Sequence, residues 1–323
     1  MHAVALPGRR PWTVAGLAVL VVTAAALGRL ILGAGVPAAQ SAYPQHVVPR
    51  TVTIAAPVTQ LSVQSYGGPV QIVAAAVSHV RVSEAISTDG PAGPVAAVQQ
   101  SMSGGRLSLS DPACASSGCR VAFAITVPPG VTVTASTGGA VLEVSGVAGA
   151  VLDSGGGPVQ AGQIDGPLTV TSEGGAVTLG IAAQLSGIAP SPGSGPLSLP
   201  SSAAIPSAAG PLSPSPTSAG AAGVTGPLTV DTGGGPLIAG GITSATATVS
   251  TDGGLARIGF AAPPRRVQVR TGGGPAVLTV PGGPYALTSS GGTGPQQVGI
   301  ATDPAAGRSL TVSTAGGPLM IQP

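Results

Sequence analysis

The residues able to do chemistry are few in this 323-residue chain, and their spacing narrows what that chemistry is. Cys114 and Cys119 are the only cysteines, separated by Ala, Ser, Ser and Gly, and they lie between strand-like stretches at Arg106 to Ser110 and Arg120 to Val127. In an exported chain, two close cysteines flanking a hairpin turn are expected to form a disulfide that staples it. A zinc site needs more ligands, and a redox pair is more usually spaced CxxC. Asp153, Glu173, Asp231 and Asp252 sit just ahead of glycine runs, but at differing offsets and without the nonapeptide calcium spacing. They read as turn-capping acids. His2, His46 and His79 are isolated from one another and from the cysteines, so neither a metal site nor a catalytic dyad is drawn from them. Arg265, Arg266 and Arg270 form the densest basic group. With Val267 and Val269 facing inward, Arg266, Gln268 and Arg270 share an outward face that attracts anionic wall polymer or headgroups, unless it is simply a solvated strand face.

Composition excludes more than it assigns. The chain has no Lys and no Asn, so the P-loop is absent, and the GxGxxG and GxSxG spacings are absent too. A net charge of +2 with 2% aromatic residues offers neither the field nor the stacking platforms for nucleic acid. Paired carboxylates with aromatic sugar platforms, as a polysaccharide-cleaving enzyme wants, are missing as well. The sequence therefore predicts no enzyme, no cofactor and no metal.

What must position these residues is a repeat. A glycine-rich turn followed by Pro, Ala or Leu and a short apolar run recurs at Pro158, Ala176, Pro236, Leu255, Pro275, Pro295 and Pro318, with an earlier copy at Pro69. Apart from one interval of sixty residues, the spacing from Pro158 onward is eighteen to twenty-three, the mark of stacked turns. Period-two alternation after the turns, as in Ala276, Leu278 and Val280, buries one face of each strand. The fold class expected is all-β, a β-solenoid over residues 51–323. Glycine is expected to supply positive φ before each strand and proline to fix φ at its first residue. The long interval contains residues 186–223, dominated by Pro, Ser, Ala and Gly, which read as a disordered insertion between two turns.

Ahead of the repeat, Trp12 to Gly28 runs without a charge and continues through Arg29 into Leu30, Ile31 and Leu32. About twenty such residues span a bilayer. Arg9 and Arg10 place the tail, residues 1–11, in the cytoplasm and the body outside, with residues 12–35 as the transmembrane helix and 36–50 as a spacer. A cleaved leader, cut after Ala38, is the alternative. The body is exported in both cases.

The stretch Pro264 to Pro284, PRRVQVRTGGGPAVLTVPGGP, followed by Tyr285, Gly294, Val298, Leu310, Val312, Gly317 and Ile321, resembles the bacterial adhesin-type domain family DUF4097, which is grouped with toastrack-like envelope domains. Cys119 through Val133, CRVAFAITVPPGVTV, is similar to that family's entry into its first turns. The resemblance covers roughly Thr51 to Pro323 and implies a ribbed β-solenoid at the cell surface, with no catalytic motif. Where relatives carry Asp or Ser after the glycine, this chain mostly has Pro, Ala or Leu. The expected role is a non-enzymatic, membrane-anchored structural or adhesive module, with membrane and cell-wall polymer or another envelope protein as partners. The alternative is an envelope-stress sensor acting through a membrane partner.

Overall fold

The protein is described here from a computed structural model over residues 46–88, 98–117, 119–180 and 223–323. The expected membrane segment, residues 12–35, and all of the expected insertion except Gly223 lie outside the described residues. Among the described residues no helix is long and apolar enough to cross a membrane. Apart from one helical turn at Cys114–Ser117, the regular structure is all strand, arranged in sheets of twelve and eleven strands.

Through the body of the chain, strands alternate between the two sheets. Thr132–Thr137, Gly149–Ser154, Leu168–Ser172, Leu228–Asp231, Thr246–Thr251, Arg266–Thr271 and Ser309–Ser313 are successive parallel neighbours in the eleven-stranded sheet. Leu142–Ser145, Val159–Gly162, Val177–Leu179, Leu237–Ile242, Ala256–Phe260, Ala276–Thr279 and Leu319–Gln322 are successive parallel neighbours in the other. Register holds like over like: Val170 pairs with Val230, Val230 with Val249, Val249 with Val269 and Val269 with Val312. All five are at most 1% exposed, so a one-residue slip would turn a whole valine column toward water. Aliphatic side chains of similar length fill these narrow layers, and Val267, Val269 and Val280 face inward as the alternation predicts.

At the end of eight strands of the eleven-stranded sheet the last inward position, within the strand or one residue past it, is not apolar. Ser65, Thr137, Ser154, Ser172, Thr232, Thr251, Thr271 and Thr314 occupy it, each 5% exposed or less. Each hydroxyl donates to the carbonyl three residues on: Gly68, Ala140, Gly157, Gly175, Gly235, Gly254, Gly274 and Gly317 respectively. The Thr251 and Thr314 bonds measure 2.9 and 2.7 Å. This bond closes the turn that carries the chain into the other sheet. Positive φ falls one residue earlier than the sequence suggested, at Gly156 (99°), Gly174 (107°) and Gly253 (110°). The final glycine is required for a different reason: a Cβ on Gly175 would strike the carbonyl oxygen of Gly157, one on Gly235 that of Gly175, and one on Gly254 that of Gly235. Turn backbones lie directly on one another there.

The stacking order departs from chain order at both ends. Gln60–Ser65 and Val70–Ala74, early in the chain, lie between Arg106–Ser110 with Cys119–Val127 on one side and Thr132–Thr137 with Leu142–Ser145 on the other. At the far end, Ser309–Ser313 and Leu319–Gln322 are inserted beneath Ala286–Ser290 and Gln296–Val298, which precede them in sequence. Simple sequential piling, as the period implied, is corrected here. The strand His46–Ile54 also begins within the expected spacer, pairing antiparallel with Val80–Thr88. Pro49 is tolerated because that strand is an edge.

Across the sixty-residue interval the stack is continuous. Val177–Leu179 pairs in register with Leu237 to Ala239, and a Cβ on Gly180 would lie 3.5 Å from the Cα of Gly223. Gly223, expected at the end of the insertion, is buried beneath Gly241 and belongs to the fold.

Two buried positions among the described residues carry a carboxyl, Glu84 and Asp111. Glu84 is 3% exposed between Val82 and Ile86, and its Oε2 has no hydrogen-bond partner among the described residues. Burial raises its pKa, against the opposing pull of Arg50 across the strand pair. Asp111 is also raised by burial, although it accepts a 2.9 Å bond from the Tyr66 amide. A folded-state pKa above the unfolded one gives stability that is present below the ordinary carboxylate range and lost as pH rises through the raised value. Urea midpoints should therefore fall between about pH 4 and pH 7, and Glu84→Gln should lessen that fall and raise the midpoint at pH 7; a flat profile, or a less stable variant at pH 7, contradicts the assignment. For the turn, Thr251→Val orphans a buried carbonyl and should cost about 1–3 kcal/mol in the same measurement. Thr248→Val, facing outward on the same strand, should stay within about 0.5 kcal/mol.

Candidate functional site

The outer face of the eleven-stranded sheet repeats one chemistry. Its central column runs Ser101, Ser108, Ser62, Thr134, Val151, Thr169, Thr229, Thr248, Gln268, Thr311 and Thr288, each the register partner of the next. Only Val151 and Gln268 lack a hydroxyl. Parallel pairing sets these groups about 4.8 Å apart along the sheet. Among the described residues the hydroxyls of Thr134, Thr169, Thr229, Thr248 and Thr311 make no protein hydrogen bond, so their capacity is open to solvent or ligand. Alternation produces this face: most buried residues of the core column are followed by an outward Thr or Ser, as Leu168 is by Thr169 and Leu228 by Thr229.

The basic group divides. Arg266 and Arg270 stand outward on either side of Gln268, as the alternation predicts. Arg265 does not join them. It precedes the strand, at the corner opposite the glycine turns, where register carried back one or two residues gives the column Ala148, Gly166, Gly226, Ala245, Arg265 and Arg308. At the two glycines of this column there is no space for a side chain: a Cβ on Gly166 would strike the Ala148 carbonyl oxygen, and one on Gly226 would strike the Gly166 backbone. In the last two turns the corner opens into a cavity of about 430 Å³ lined by Arg265, Pro284, Ala306, Gly307 and Arg308.

Backbone bonds fix the two arginines side by side. The Arg265 amide donates to Ala245 O at 2.8 Å, Ser309 N to Arg265 O at 2.8 Å, and Ala286 N to Arg308 O at 2.8 Å. Beneath them Tyr285 is fully buried, its hydroxyl donating to Pro281 O at 2.7 Å. Burial pushes its phenol pKa up, and the Arg308 charge pulls the other way. Among the described residues neither guanidinium forms an ion pair or a side-chain hydrogen bond. Sequence reading missed Arg308, forty-three residues from Arg265; aligning the hydroxyl-bearing Thr271 with Thr314 sets RRVQVRT over RSLTVST and brings the two together.

The remaining residues singled out by sequence are scattered. Cys114 and Cys119 are joined in a disulfide with Cα atoms 4.8 Å apart. They do not staple a hairpin, because Arg106–Ser110 and Cys119–Val127 belong to different sheets; the bond closes the helical turn Cys114–Ser117 onto the second strand. Asp231 caps its turn, accepting from the Gly233 amide at 3.2 Å. Asp153 lies outward in the same column, with Thr171 between them. Glu173 and Asp252 are exposed in glycine turns. His79 is exposed, and His46 starts the edge strand. Among the described residues no three His, Cys, Asp or Glu side chains gather closely enough to hold a metal.

No family model matches this chain, and no curated protein matches it. Among solved structures it is similar to a putative adhesin of Parabacteroides distasonis at 9% identity and TM-score 0.38, over 85% of this chain and 97% of that one. A putative adhesin of Bacteroides fragilis is similar at 12% identity and TM-score 0.37, over 85% and 97% respectively. A putative cell adhesion protein of Clostridium sporogenes is similar at 11% identity and TM-score 0.27, over 86% and 99%. At these values the superpositions are loose, and the fold of this chain stands on its own strand pairing.

Proposed function

We propose that the chain is an exported, membrane-anchored β-solenoid of the DUF4097 type that acts as a non-enzymatic display and attachment module of the bacterial cell envelope. The observation that carries this reading is the hydroxyl column on the outer face of the eleven-stranded sheet. A rigid sheet that repeats one neutral hydrogen-bonding group at each strand suits many weak contacts with an extended hydroxyl-rich or wall polymer. Each contact is feeble, but their geometry is fixed in advance, so little conformational freedom is lost on binding. The apolar run at residues 12–35 supplies the anchor, and the positive charge before it sets the body outside.

Thr169→Ala, Thr229→Ala and Thr248→Ala combined remove three adjacent outward hydroxyls without touching the core. Cells carrying this full-length variant should attach several-fold less well to polysaccharide-coated surfaces than cells carrying the unaltered chain at equal surface level, because weak contacts in series multiply their effects. Unchanged attachment would remove the hydroxyl face from the account.

A further inference from the structure

We propose that the corner cavity between Arg265 and Arg308 binds phosphate groups. The site goes beyond the display reading and does not rest on it, since the cavity lies at the corner of the stack and the hydroxyl columns lie on the sheet face. Four observations converge. The corner column holds only glycine or alanine from Ala148 to Ala245, and then carries Arg twice in succession where the loops open it. The backbone holds these arginines side by side, each just ahead of one of two neighbouring strands, where two like charges repel. No described carboxylate neutralises either one. A volume of about 430 Å³ is open between them, walled on the other side by Pro284 and Ala306.

Two unpaired guanidinium forks beside a cavity call for an anion with more acceptor oxygens than one fork satisfies. A carboxylate has two oxygens and is saturated by a single bidentate arginine. A phosphate accepts from both forks. The apolar wall leaves room for the carbon atoms of an ester substituent, so a phosphate monoester or diester fits better than the bare ion. Such groups occur on anionic wall polymers and on lipid headgroups alike, and the shared chemistry is a phosphate ester. Arg266 and Arg270 stand away from the cavity on the sheet face and serve as internal controls.

The test uses the full chain in detergent micelles, titrated calorimetrically with a synthetic glycerol phosphate oligomer, with inorganic phosphate as competitor. In parallel, the chain is mixed with vesicles of phosphatidylglycerol or of phosphatidylcholine. Arg265→Gln and Arg308→Gln should each weaken phosphate binding about tenfold or more, as expected for loss of a bidentate charged contact. Arg266→Gln with Arg270→Gln should change it less than about twofold, since those are exposed charges outside the cavity. Ala306→Phe narrows the space between the two arginines with every charge retained and should also weaken binding, which separates a built site from diffuse attraction. Melting temperatures without phosphate should be unchanged or raised in the arginine variants, because one of two neighbouring like charges is removed. Arginine-dependent binding of the oligomer alone assigns a polymer ligand, and arginine-dependent binding of phosphatidylglycerol vesicles alone assigns a headgroup; either supports the site. No binding of either probe, binding indifferent to Arg265 and Arg308, or equal loss in the Arg266 and Arg270 variant overturns it.

Discussion

The structure depends on one contact repeated along its length: a buried Ser or Thr hydroxyl that bonds a carbonyl three residues ahead, in a turn whose last residue, Ala140 apart, is a glycine with no room for a Cβ. The turn leaves the end of a strand, and among the described residues its last carbonyl accepts from no backbone amide. Unpaired and buried, that group would cost about 1–3 kcal/mol, comparable to what one buried apolar side chain returns. The hydroxyl satisfies it from within the turn, so the turn can be packed against its neighbours instead of being left to water. Close packing then follows, because Gly157, Gly175, Gly235, Gly254, Gly274 and Gly317 allow successive turn backbones to touch. Sheet register, core columns and the outward hydroxyl face are all consequences of this fixed step.

A stack of identical turns has two weak points, its ends. The chain meets both by placing its early pair Gln60–Ser65 and Val70–Ala74, and its final pair Ser309–Ser313 and Leu319–Gln322, one level inward. The segments left outermost are capped differently. At the far end the inward positions become polar: Ser289 bonds Gln296 across the two sheets at 3.0 Å, where lower turns have apolar contacts. At the near end antiparallel strands cover the stack, and the disulfide holds the connection between sheets. Terminal turns with polar outer faces are what a repeat fold needs to stay soluble and discrete.

Much of this was legible in the residues themselves. Alternation assigned the facing of Val267, Gln268 and Val269 correctly, since one buried face per strand leaves a single solution. The glycine spacing marked the turns, but attention to glycine hid the Ser or Thr three positions earlier, which is as regular as the glycine and chemically more informative. Stacking order at the ends was not legible. Strands such as Leu310 to Val312 and Leu287 to Ser289 carry patterns that would pair with many neighbours, and only the tertiary arrangement selects among them. Arg265 was grouped with its sequence neighbours, whereas its partner is Arg308 on the adjacent strand. Glu84 is two residues from both Val82 and Ile86, so alternation places it inward, while its charge alone argues for an outward position; the structure follows the alternation.

The most direct test of the turn constraint compares two glycines of ordinary φ. A Cβ on Gly254 would collide with the carbonyl of Gly235, whereas one on Gly162 meets nothing within 4 Å. Equilibrium unfolding of the two alanine variants reads the difference. Gly254→Ala should cost about 2 kcal/mol or more, since backbone cannot step aside as a side chain does, and Gly162→Ala should be neutral or stabilising by up to about 1 kcal/mol. Equal effects at the two positions would mean that the turns are not in backbone contact, and the account of how this chain builds its sheets would be wrong.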